Sequence, residues 1–390
     1  MNILFLMNEP DPRMTHFGGA QRTNAIWRAL QELGDVYTMT FDQRFKTEEV
    51  APRIWYVKKL QKVNPVRDFF YKVQTRVYRI FKVLYCFPLS TRIEKTPDEI
   101  FPNIKFDVVV CRYLDVLGEM HLWGHPRLIV DVDDDPLQMY DTVKSHDVHP
   151  MLRGLGRWIL RRQVAFLMSN VSAVWVSNSM SIEPVRMDIP VISLRNVARC
   201  PSAKFRINAP RKNMIISVGA LDYAPNYEGV DEFLSKVWPK VHARFPELRY
   251  AVVGRGTPSE YIKRWRSFPN VDLLGFVEDL EKVYEQCLCS VVSVASGGGT
   301  CIKTIESMAF SRICLTTEFG ARGLTDAVAD ADSSLVVYHS AEEFIDGMNM
   351  VLVDVERAKR ERHGREYVQK HCMESVFFKT IEETIEKYGK

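Results

Sequence analysis

The sequence lacks the features that mark secreted or membrane-spanning chains. No apolar run reaches transmembrane length, and the run Ile3–Met7 is too short for the core of a signal peptide. The eight cysteines are scattered without a C-x-x-C pair, which does not suit a disulfide framework. There is no short-period repeat and no low-complexity tract, which excludes a solenoid or a disordered array. These absences predict a cytoplasmic protein with free thiols.

A strong charge imbalance is also missing. The net charge of +3 is too small to indicate a nucleic-acid partner. A content of 46% hydrophobic and 26% charged residues is typical of soluble globular proteins. Because single cores stop growing at roughly 250–300 residues, a chain of 390 residues predicts two domains.

The first half of the chain alternates strand and helix patterns. Asn2–Met7 predicts a buried strand, and Gly18-Gly19 opens a helix that runs to Leu33. A strand, a glycine loop and a helix in this order indicate a doubly wound sheet, whose ligands bind at the carboxyl ends of the strands.

The alternation stops and then restarts, which gives the domain boundaries. Proline and charge replace periodicity over residues 198–212, so we interpret this stretch as a linker. We expect residues 1–197 to form an N-terminal Rossmann-like domain and residues 213–370 to form a second one. The two would face each other across a cleft, and residues 371–390 would form a C-terminal helix able to pack back on the first domain.

A basic segment, defined here as Arg53 to Lys82, carries nine basic residues and a single acid, Asp68. Aromatic residues such as Trp55 and Tyr78 are interleaved with the charges. Such a segment can lie peripherally on an anionic membrane surface, which for a cytoplasmic protein is the inner face. It can equally be a solvated helix that packs its aromatic side chains on its own domain.

A carboxylate cluster, Asp131 to Asp135, follows a predicted strand. Clustered carboxylates suit a divalent cation, but a D-x-D tripeptide is a weak signal. Asp133 could instead act on the acceptor side by receiving a proton or by steadying positive charge. Ordinary capping of a loop is the third interpretation.

A glycine-rich turn stands between the apolar run Leu288–Val294 and a helical pattern. We expect Gly297, Gly298 and Gly299 to expose backbone amides, and Thr300 to cap the helix. Lys303 and Glu306 are three residues apart near the positive end of this helix. Amides, a helix N-terminus and a lysine suit a phosphate, and a glutamate beside them suits sugar hydroxyls. The alternative is a tight turn with a surface ion pair.

The second half resembles the nucleotide-sugar domain of GT-B glycosyltransferases, and is similar to glycosyltransferase family four near the bacterial exopolysaccharide enzymes. The resemblance rests on four segments in the right order over roughly 110 residues. These segments are Ser217–Asn226, Val253–Gly256, Leu274–Leu280 and Gly299–Ala309.

The resemblance implies roles for particular residues. Glu306 matches the glutamate that binds the donor ribose, and Lys303 matches a lysine of the exopolysaccharide variant. The remaining donor-binding positions are the strand-end Gly219, the diphosphate loop Gly298, Gly299 and Thr300, the nucleobase loop Phe276 and Val277, and the closing loop Gly18 and Gly19.

Some positions depart from the family pattern. Gly298 stands where the family carries a second glutamate that contacts the sugar, and Asp133 stands where it carries a histidine. The arginine and lysine that follow the first strand of the donor domain are absent, so we expect Lys303 and Arg255 to supply their charge to the leaving diphosphate.

The resemblance therefore implies transfer of a sugar, with retention of configuration, from a nucleoside diphosphate sugar to a glycan or lipid-linked acceptor in cell-surface polysaccharide or glycoconjugate synthesis. It implies no metal and no other cofactor, and no nucleic-acid partner is expected. Two alternatives stay open. One is a nucleotide-sugar epimerase of the same fold; the other is a binding protein without catalysis, which Gly298 suggests.

Overall fold

The computed structural model describes residues 1–8, 11–15, 18–60, 92–114, 116–117, 127–133, 135–142, 149–168, 171–177, 189–297 and 299–389. Gly298, Asp134 and positions 61–82 of the basic segment lie outside the described residues. The chain divides into an N-terminal unit, residues 1–195 with 374–390, and a C-terminal unit, residues 196–373. No described helix is both long enough and apolar enough to cross a bilayer.

The N-terminal unit is built on one sheet. Its described strands are β1 (Asn2–Met7), β2 (Asp35–Asp42), β3 (Glu48–Ala51), β4 (Ile54–Leu60), β5 (Arg92–Ile93), β6 (Val108–Arg112), β7 (Leu128–Val132), β8 (Ala173–Val176) and β9 (Val191–Ser193). The order is β3-β4-β2-β1-β6-β7-β8-β9, with β5 also paired to β4. All pairs are parallel except β3 and β5 against β4. Strands β1, β6 and β7 are almost entirely buried, as expected of a parallel sheet covered on both faces.

Helices cover this sheet. They are α1 (Gly18–Leu33), α2 (Pro97–Ile100), α3 (Pro136–Thr142), α4 (Arg153–Leu167, after a 3₁₀ turn at Pro150–Leu152) and the C-terminal α13 (Glu374–Tyr388). Helix α13 packs on α1, and Glu374 forms an ion pair with Arg28. The last helix thus belongs to the same compact unit as the first.

The described part of the basic segment is not helical. Ile54–Leu60 is β4, which pairs in parallel with β2. The side chains of Ile54 and Val57 are both buried, on opposite faces of this strand. The interpretation as a solvated helix is therefore wrong for these residues. Isoleucine, tryptophan, tyrosine and valine in this stretch favour a strand, and a neighbouring strand supplies the hydrogen bonds.

The C-terminal unit has a second, wholly parallel sheet. Its strands are β10 (Met214–Val218), β11 (Arg249–Val253), β12 (Val271–Gly275), β13 (Cys289–Val292), β14 (Cys314–Thr316) and β15 (Leu335–Val337). Their order is β12-β11-β10-β13-β14-β15. Strands β11 and β12 are therefore added on one side of β10, and β13, β14 and β15 are added on its other side. This is the strand order of the Rossmann fold. The predicted pair of Rossmann-like α/β domains is confirmed.

The helices of this unit are α5 (Ala224–Lys236), α6 (Trp238–Arg244), α7 (Ser259–Trp265), α8 (Leu280–Gln286), α9 (Ile302–Ala309), α10 (Thr325–Ala329), α11 (Ala341–Val351) and α12 (Asp354–His371). Helices α5 and α6 follow one another directly but are separate, because the chain breaks at Val237. Pro239 lies in the first turn of α6, where the missing N–H of proline costs no helical hydrogen bond. The same proline would disrupt the interior of one continuous helix.

Candidate functional site

The C-terminal sheet has a switch point between β10 and β13, where the two windings diverge. Ligands of doubly wound sheets bind at the carboxyl ends of the strands at such a point. A pocket lies there, lined by the ends of both strands and by Asn226 and Lys303. Strand order therefore brings together two stretches that are about 75 positions apart in the sequence, at Ser217–Gly219 and Val291–Val294.

Lys303 reaches into this pocket from α9. Its ammonium donates to Oδ1 of Asn226, whose Nδ2 donates in turn to the carbonyl of Ala220 at 2.6 Å. Burial lowers the pKa of Lys303, because the charged form loses water. The hydrogen-bond partner is a neutral amide rather than a carboxylate. The alternative of a surface ion pair is therefore wrong, because Lys303 lines a pocket and its hydrogen-bond partner is the amide of Asn226.

Gly219 makes room for Lys303. A Cβ atom at position 219 would lie 2.7 Å from Cε of the lysine. The loop that contains Gly254 also packs tightly against Gly219. A Cβ atom at Gly254, which has φ of 151°, would lie 1.7 Å from the carbonyl oxygen of Gly219. The carbonyl of Arg255 accepts from the N–H of Leu221 at 2.7 Å, which ties the β10 and β11 loops together.

Glu306 lies one turn beyond Lys303 on α9 and is buried. Its Oε1 accepts a hydrogen bond from the hydroxyl of Tyr284 at 3.2 Å. Burial raises the pKa of Glu306, and the positive charges of Arg199 and Lys303 oppose that rise. A buried carboxylate held by a tyrosine is oriented to accept hydrogen bonds from hydroxyl groups of a ligand.

The glycine loop is held in place by Arg322, a residue that the sequence analysis missed. Its Nε donates to the carbonyl of Gly299, and its guanidinium stacks 3.7 Å above the ring of Phe319. A Cβ at Gly297 would lie 3.8 Å from Nη2 of Arg322. A second cation thus lies beside the loop. Arg322 follows β14, the neighbour of β13, and only the order of strands shows that this loop is close.

Thr300 does not cap α9. The helix begins at Ile302 with Cys301 as its N-cap residue, and no side chain caps it. Thr300 lies too early in the chain, and its carbonyl accepts from Nδ2 of Asn196 at 3.4 Å. Like Gly299, Thr300 is buried within the loop.

The remaining donor-side residues lie at the same edge of the sheet. Arg255 follows β11 and is exposed. Phe276 follows β12 with 71% of its surface exposed, and Val277 beside it is half-buried. An aromatic ring exposed at a strand end is available to stack on a planar ligand.

The N-terminal unit holds a buried cluster of two arginines and two aspartates at the carboxyl ends of β6 and β7. Asp131 accepts from Nε of Arg22 at 3.0 Å and also from Arg112. Asp133 accepts from Nη2 of Arg112 at 3.1 Å, and its Oδ1 is 3.8 Å from Nε of Arg22. The arginines were not predicted, because arginines in apolar patterns such as Val108–Arg112 are normally exposed.

The cluster defines what Asp133 can do. Burial raises the pKa of Asp133, but Arg112 and Arg22 outweigh burial and bring the pKa below its ordinary value. The carboxylate is therefore ionised and a weak base, better suited to steadying positive charge than to taking a proton. Arg112 also donates to the carbonyl of Gly19 at 3.4 Å, so the predicted Gly18-Gly19 loop and Asp133 lie in one neighbourhood.

Comparison with known proteins agrees with this architecture. Residues 212–354 match the family model of glycosyl transferases group 1. The resemblance of the second half to glycosyltransferases is thereby confirmed, and the matched segment contains Lys303, Glu306 and Arg322. No curated protein matches the sequence.

Several solved structures share the fold along the whole chain. Sucrose-phosphate synthase from Thermosynechococcus elongatus superposes with a TM-score of 0.67 at 13% identity, covering 99% of each chain. HepE from Anabaena, solved with UDP and glucose, gives 0.63 at 12% identity over 98% of this chain and 99% of its own. WaaG, a glycosyltransferase of lipopolysaccharide biosynthesis, gives 0.59 at 13% identity over 98% and 99%. At such identities the likeness establishes the fold, which is GT-B.

Proposed function

We propose that this protein is a glycosyltransferase that moves a sugar from a nucleoside diphosphate sugar to a hydroxyl group of a glycan or lipid-linked acceptor. The observation that carries the proposal is the ammonium of Lys303 at the switch point, within the segment that matches group 1 glycosyl transferases. A cation held there by a neutral amide suits the diphosphate of a donor.

The other groups of the site supply the rest of donor recognition. Glu306 binds the ribose hydroxyls, and Phe276 and Val277 contact the base. Arg322 and the amides of the glycine loop share the diphosphate with Lys303. HepE, which has the same fold, is solved with UDP-glucose, so UDP-sugars are the first donors to test.

The reaction breaks the bond between the anomeric carbon and the diphosphate oxygen, and negative charge grows on the leaving group. Lys303, Arg322 and Arg255 stabilise that charge, which lowers the barrier for departure. We assign Asp133 to the acceptor side as an ionised group that steadies positive charge on the sugar. The acceptor oxygen forms the new bond to the anomeric carbon on the face that the diphosphate leaves, and the acceptor proton passes to the departing phosphate oxygen. The configuration is thereby retained, as the resemblance to glycosyltransferase family four implies.

The proposal uses no metal ion. Two of the carboxylates considered as metal ligands, Asp131 and Asp133, are balanced by the guanidinium groups of Arg22 and Arg112. On the donor side, Lys303 and Arg322 supply the charge that a cation would otherwise bring to a diphosphate.

A panel of nucleoside diphosphate sugars screened by thermal shift identifies the donor, since a ligand that binds the native state raises its apparent stability. Slow hydrolysis of that donor in the absence of acceptor is then expected. Release of a free epimerised sugar nucleotide would instead identify an epimerase. Binding with no turnover, even when glycan acceptors are added, would identify a binding protein.

Glu306→Gln is expected to weaken donor binding while raising thermal stability. Loss of one charged hydrogen bond to ribose costs about 1.5–3 kcal/mol. The raised pKa of Glu306 means that its ionised form is unfavourable in the folded state. The contribution of Glu306 to the free energy of unfolding is therefore fully present below its unfolded pKa, and it is lost as pH rises through the raised folded pKa. The neutral amide removes this loss at pH 7. Calorimetry and thermal melting measure both effects, and unchanged donor affinity would remove Glu306 from the site.

Arg322→Gln is expected to reduce affinity for a nucleoside diphosphate at least tenfold, about 1.4 kcal/mol, and affinity for the nucleoside much less. A purely structural role in holding Gly299 would lower both affinities together. The matched control is Arg249→Gln at the amino end of β11, where the arginine pairs with Asp272 on the surface. Calorimetry with both ligands decides the question.

A further inference from the structure

Tyr284 is a buried polar residue beside the donor site that no motif of the sequence indicates. It lies on α8, the helix before β13, and only 1% of its surface is exposed. Its hydroxyl donates to Oε1 of Glu306 at 3.2 Å, so it links α8 to α9, the helix that follows β13. Burial raises the pKa of Tyr284 well above its ordinary value, and the hydroxyl therefore keeps its proton and remains a donor.

The ring of Tyr284 is fixed by aromatic packing. It stacks on the ring of Phe310, directly after α9, with the two centroids 4.4 Å apart and an angle of 6° between the planes. The ring of Phe205 packs edge-on against Phe310, with centroids 5.2 Å apart. Because close packing confines a core side chain to few rotamers, the hydroxyl of Tyr284 points to a fixed place.

The backbone at Tyr284 is fixed as well. Arg312 is fully buried, and its Nε donates to the carbonyl of Tyr284 at 2.6 Å. Its Nη2 donates to the carbonyl of Glu285, the next residue of α8, at 3.2 Å. The stretch before β10 also binds this helix, since Oε1 of Glu285 accepts from the backbone N–H of Arg206 at 2.7 Å. Protein contacts alone therefore hold the tyrosine in position.

The orientation of Glu306 depends on this tyrosine. Among the residues that the structure describes, Tyr284 is the one hydrogen-bond donor to its carboxylate, through Oε1. Oε2 has no hydrogen-bond partner in the same set of residues, so it is the oxygen that can accept from a hydroxyl group of a ligand. A carboxylate that is already oriented loses less side-chain entropy on binding than one that the ligand must first order.

We propose that Tyr284 is a positioning residue that gives the donor site its preference for ribose over deoxyribose, by holding the carboxylate of Glu306 ready to accept a ribose hydroxyl group. This inference rests on the proposed function, in which Glu306 binds the ribose of a nucleoside diphosphate sugar. Tyr284 acts through Glu306 rather than on the substrate. Its removal should therefore affect only ligands that carry the hydroxyl group.

The test compares the full-length wild type with Tyr284→Phe, which removes one hydroxyl and keeps the aromatic stack. Calorimetry uses UDP, ADP and GDP, each beside its 2′-deoxy and 3′-deoxy analogues. The wild type should bind its preferred ribonucleotide at least about tenfold more tightly than one of the deoxy forms. Tyr284→Phe should lower the affinity for that ribonucleotide by about fivefold or more, and change the affinity for that deoxy form by less than about twofold.

The outcomes separate this inference from the proposed function. An equal loss of affinity for the ribonucleotide and its deoxy forms would show a merely structural role for Tyr284 and overturn the inference. Unchanged affinity for the ribonucleotide would overturn it too. A wild type that binds a nucleoside diphosphate without preferring ribose would overturn the inference alone, whereas one that binds none of the three would overturn the proposed function with it.

A pH profile of the ribose preference is a second readout, which packing alone would not change. The groups that act electrostatically on Glu306 are Arg199, Tyr284 and Lys303. Burial raises the pKa of Glu306, and the hydrogen bond from Tyr284 opposes that rise by favouring the ionised form. The preference should be present above this pKa and lost as pH falls through it. In Tyr284→Phe the loss should occur at higher pH, and an unchanged midpoint would contradict the inference.

Tyr140→Phe is the matched control. Tyr140 lies in the N-terminal unit, is 1% exposed, and donates to the carbonyl of Arg153 at 3.0 Å. This variant also loses a buried tyrosine hydroxyl, so its melting temperature should fall while its affinity for every nucleotide stays that of the wild type. Circular dichroism verifies that both variants fold. If Tyr140→Phe lowers ribonucleotide affinity as much as Tyr284→Phe does, general destabilisation explains the effect and the inference is wrong.

Discussion

Lys303→Met is expected to lower the rate of donor turnover by about 10²–10³-fold, the typical effect of removing one group that stabilises developing charge. Charge on the diphosphate is larger in the transition state than in the bound donor, so the rate should fall far more than donor affinity, which should change less than tenfold. Donor hydrolysis under single-turnover conditions and calorimetry give the two numbers.

The same variant should be more stable than the wild type. The pKa of Lys303 is lowered in the folded state, so the contribution of this group to stability is present above its unfolded pKa and is lost as pH falls through the lowered value. At pH 7 the charged form therefore costs stability that methionine does not. Lys240→Met is the matched control, because that lysine is exposed and pairs with Glu342 on the surface. A Lys303→Met protein with near-normal turnover would contradict the leaving-group role.

Asp131→Asn is expected to destabilise the N-terminal unit by about 3–5 kcal/mol, the typical cost of removing one partner from a buried ion pair. Asp131 is fully buried and bonds both Arg22 and Arg112, so its neutralisation leaves Asp133 as the only carboxylate of the cluster facing two buried guanidinium groups. Urea denaturation should show an early transition for this unit, and the C-terminal unit should keep its donor affinity.

An exposed pair provides the comparison. Asp141→Asn breaks the ion pair with Arg157, whose side chains are both well exposed, and should cost at most about 1 kcal/mol. If Asp131→Asn costs no more than Asp141→Asn, the buried cluster contributes nothing particular to stability. Asp131→Asn should also disturb Asp133, since both aspartates share Arg112.

The sequence by itself determined the alternation of strands and helices. The strand pattern Asn2–Met7 matches β1, because buried parallel strands consist of continuous apolar runs. The helix Gly18–Leu33 is equally clear from its glycine opening and periodicity. Lys303 and Glu306 could be singled out because they stand on one face of a helix directly after a glycine loop. Such signals are local, so a single sequence contains them.

The tertiary structure alone decided which distant residues meet. Arg322 at the glycine loop depends on β14 lying next to β13, and Asn226 at Lys303 depends on β10 lying on the other side of β13. Arg22 and Arg112 are buried only because Asp131 and Asp133 end a neighbouring strand and compensate their charge. Each depends on strand order and packing, which long-range contacts fix and local patterns do not encode.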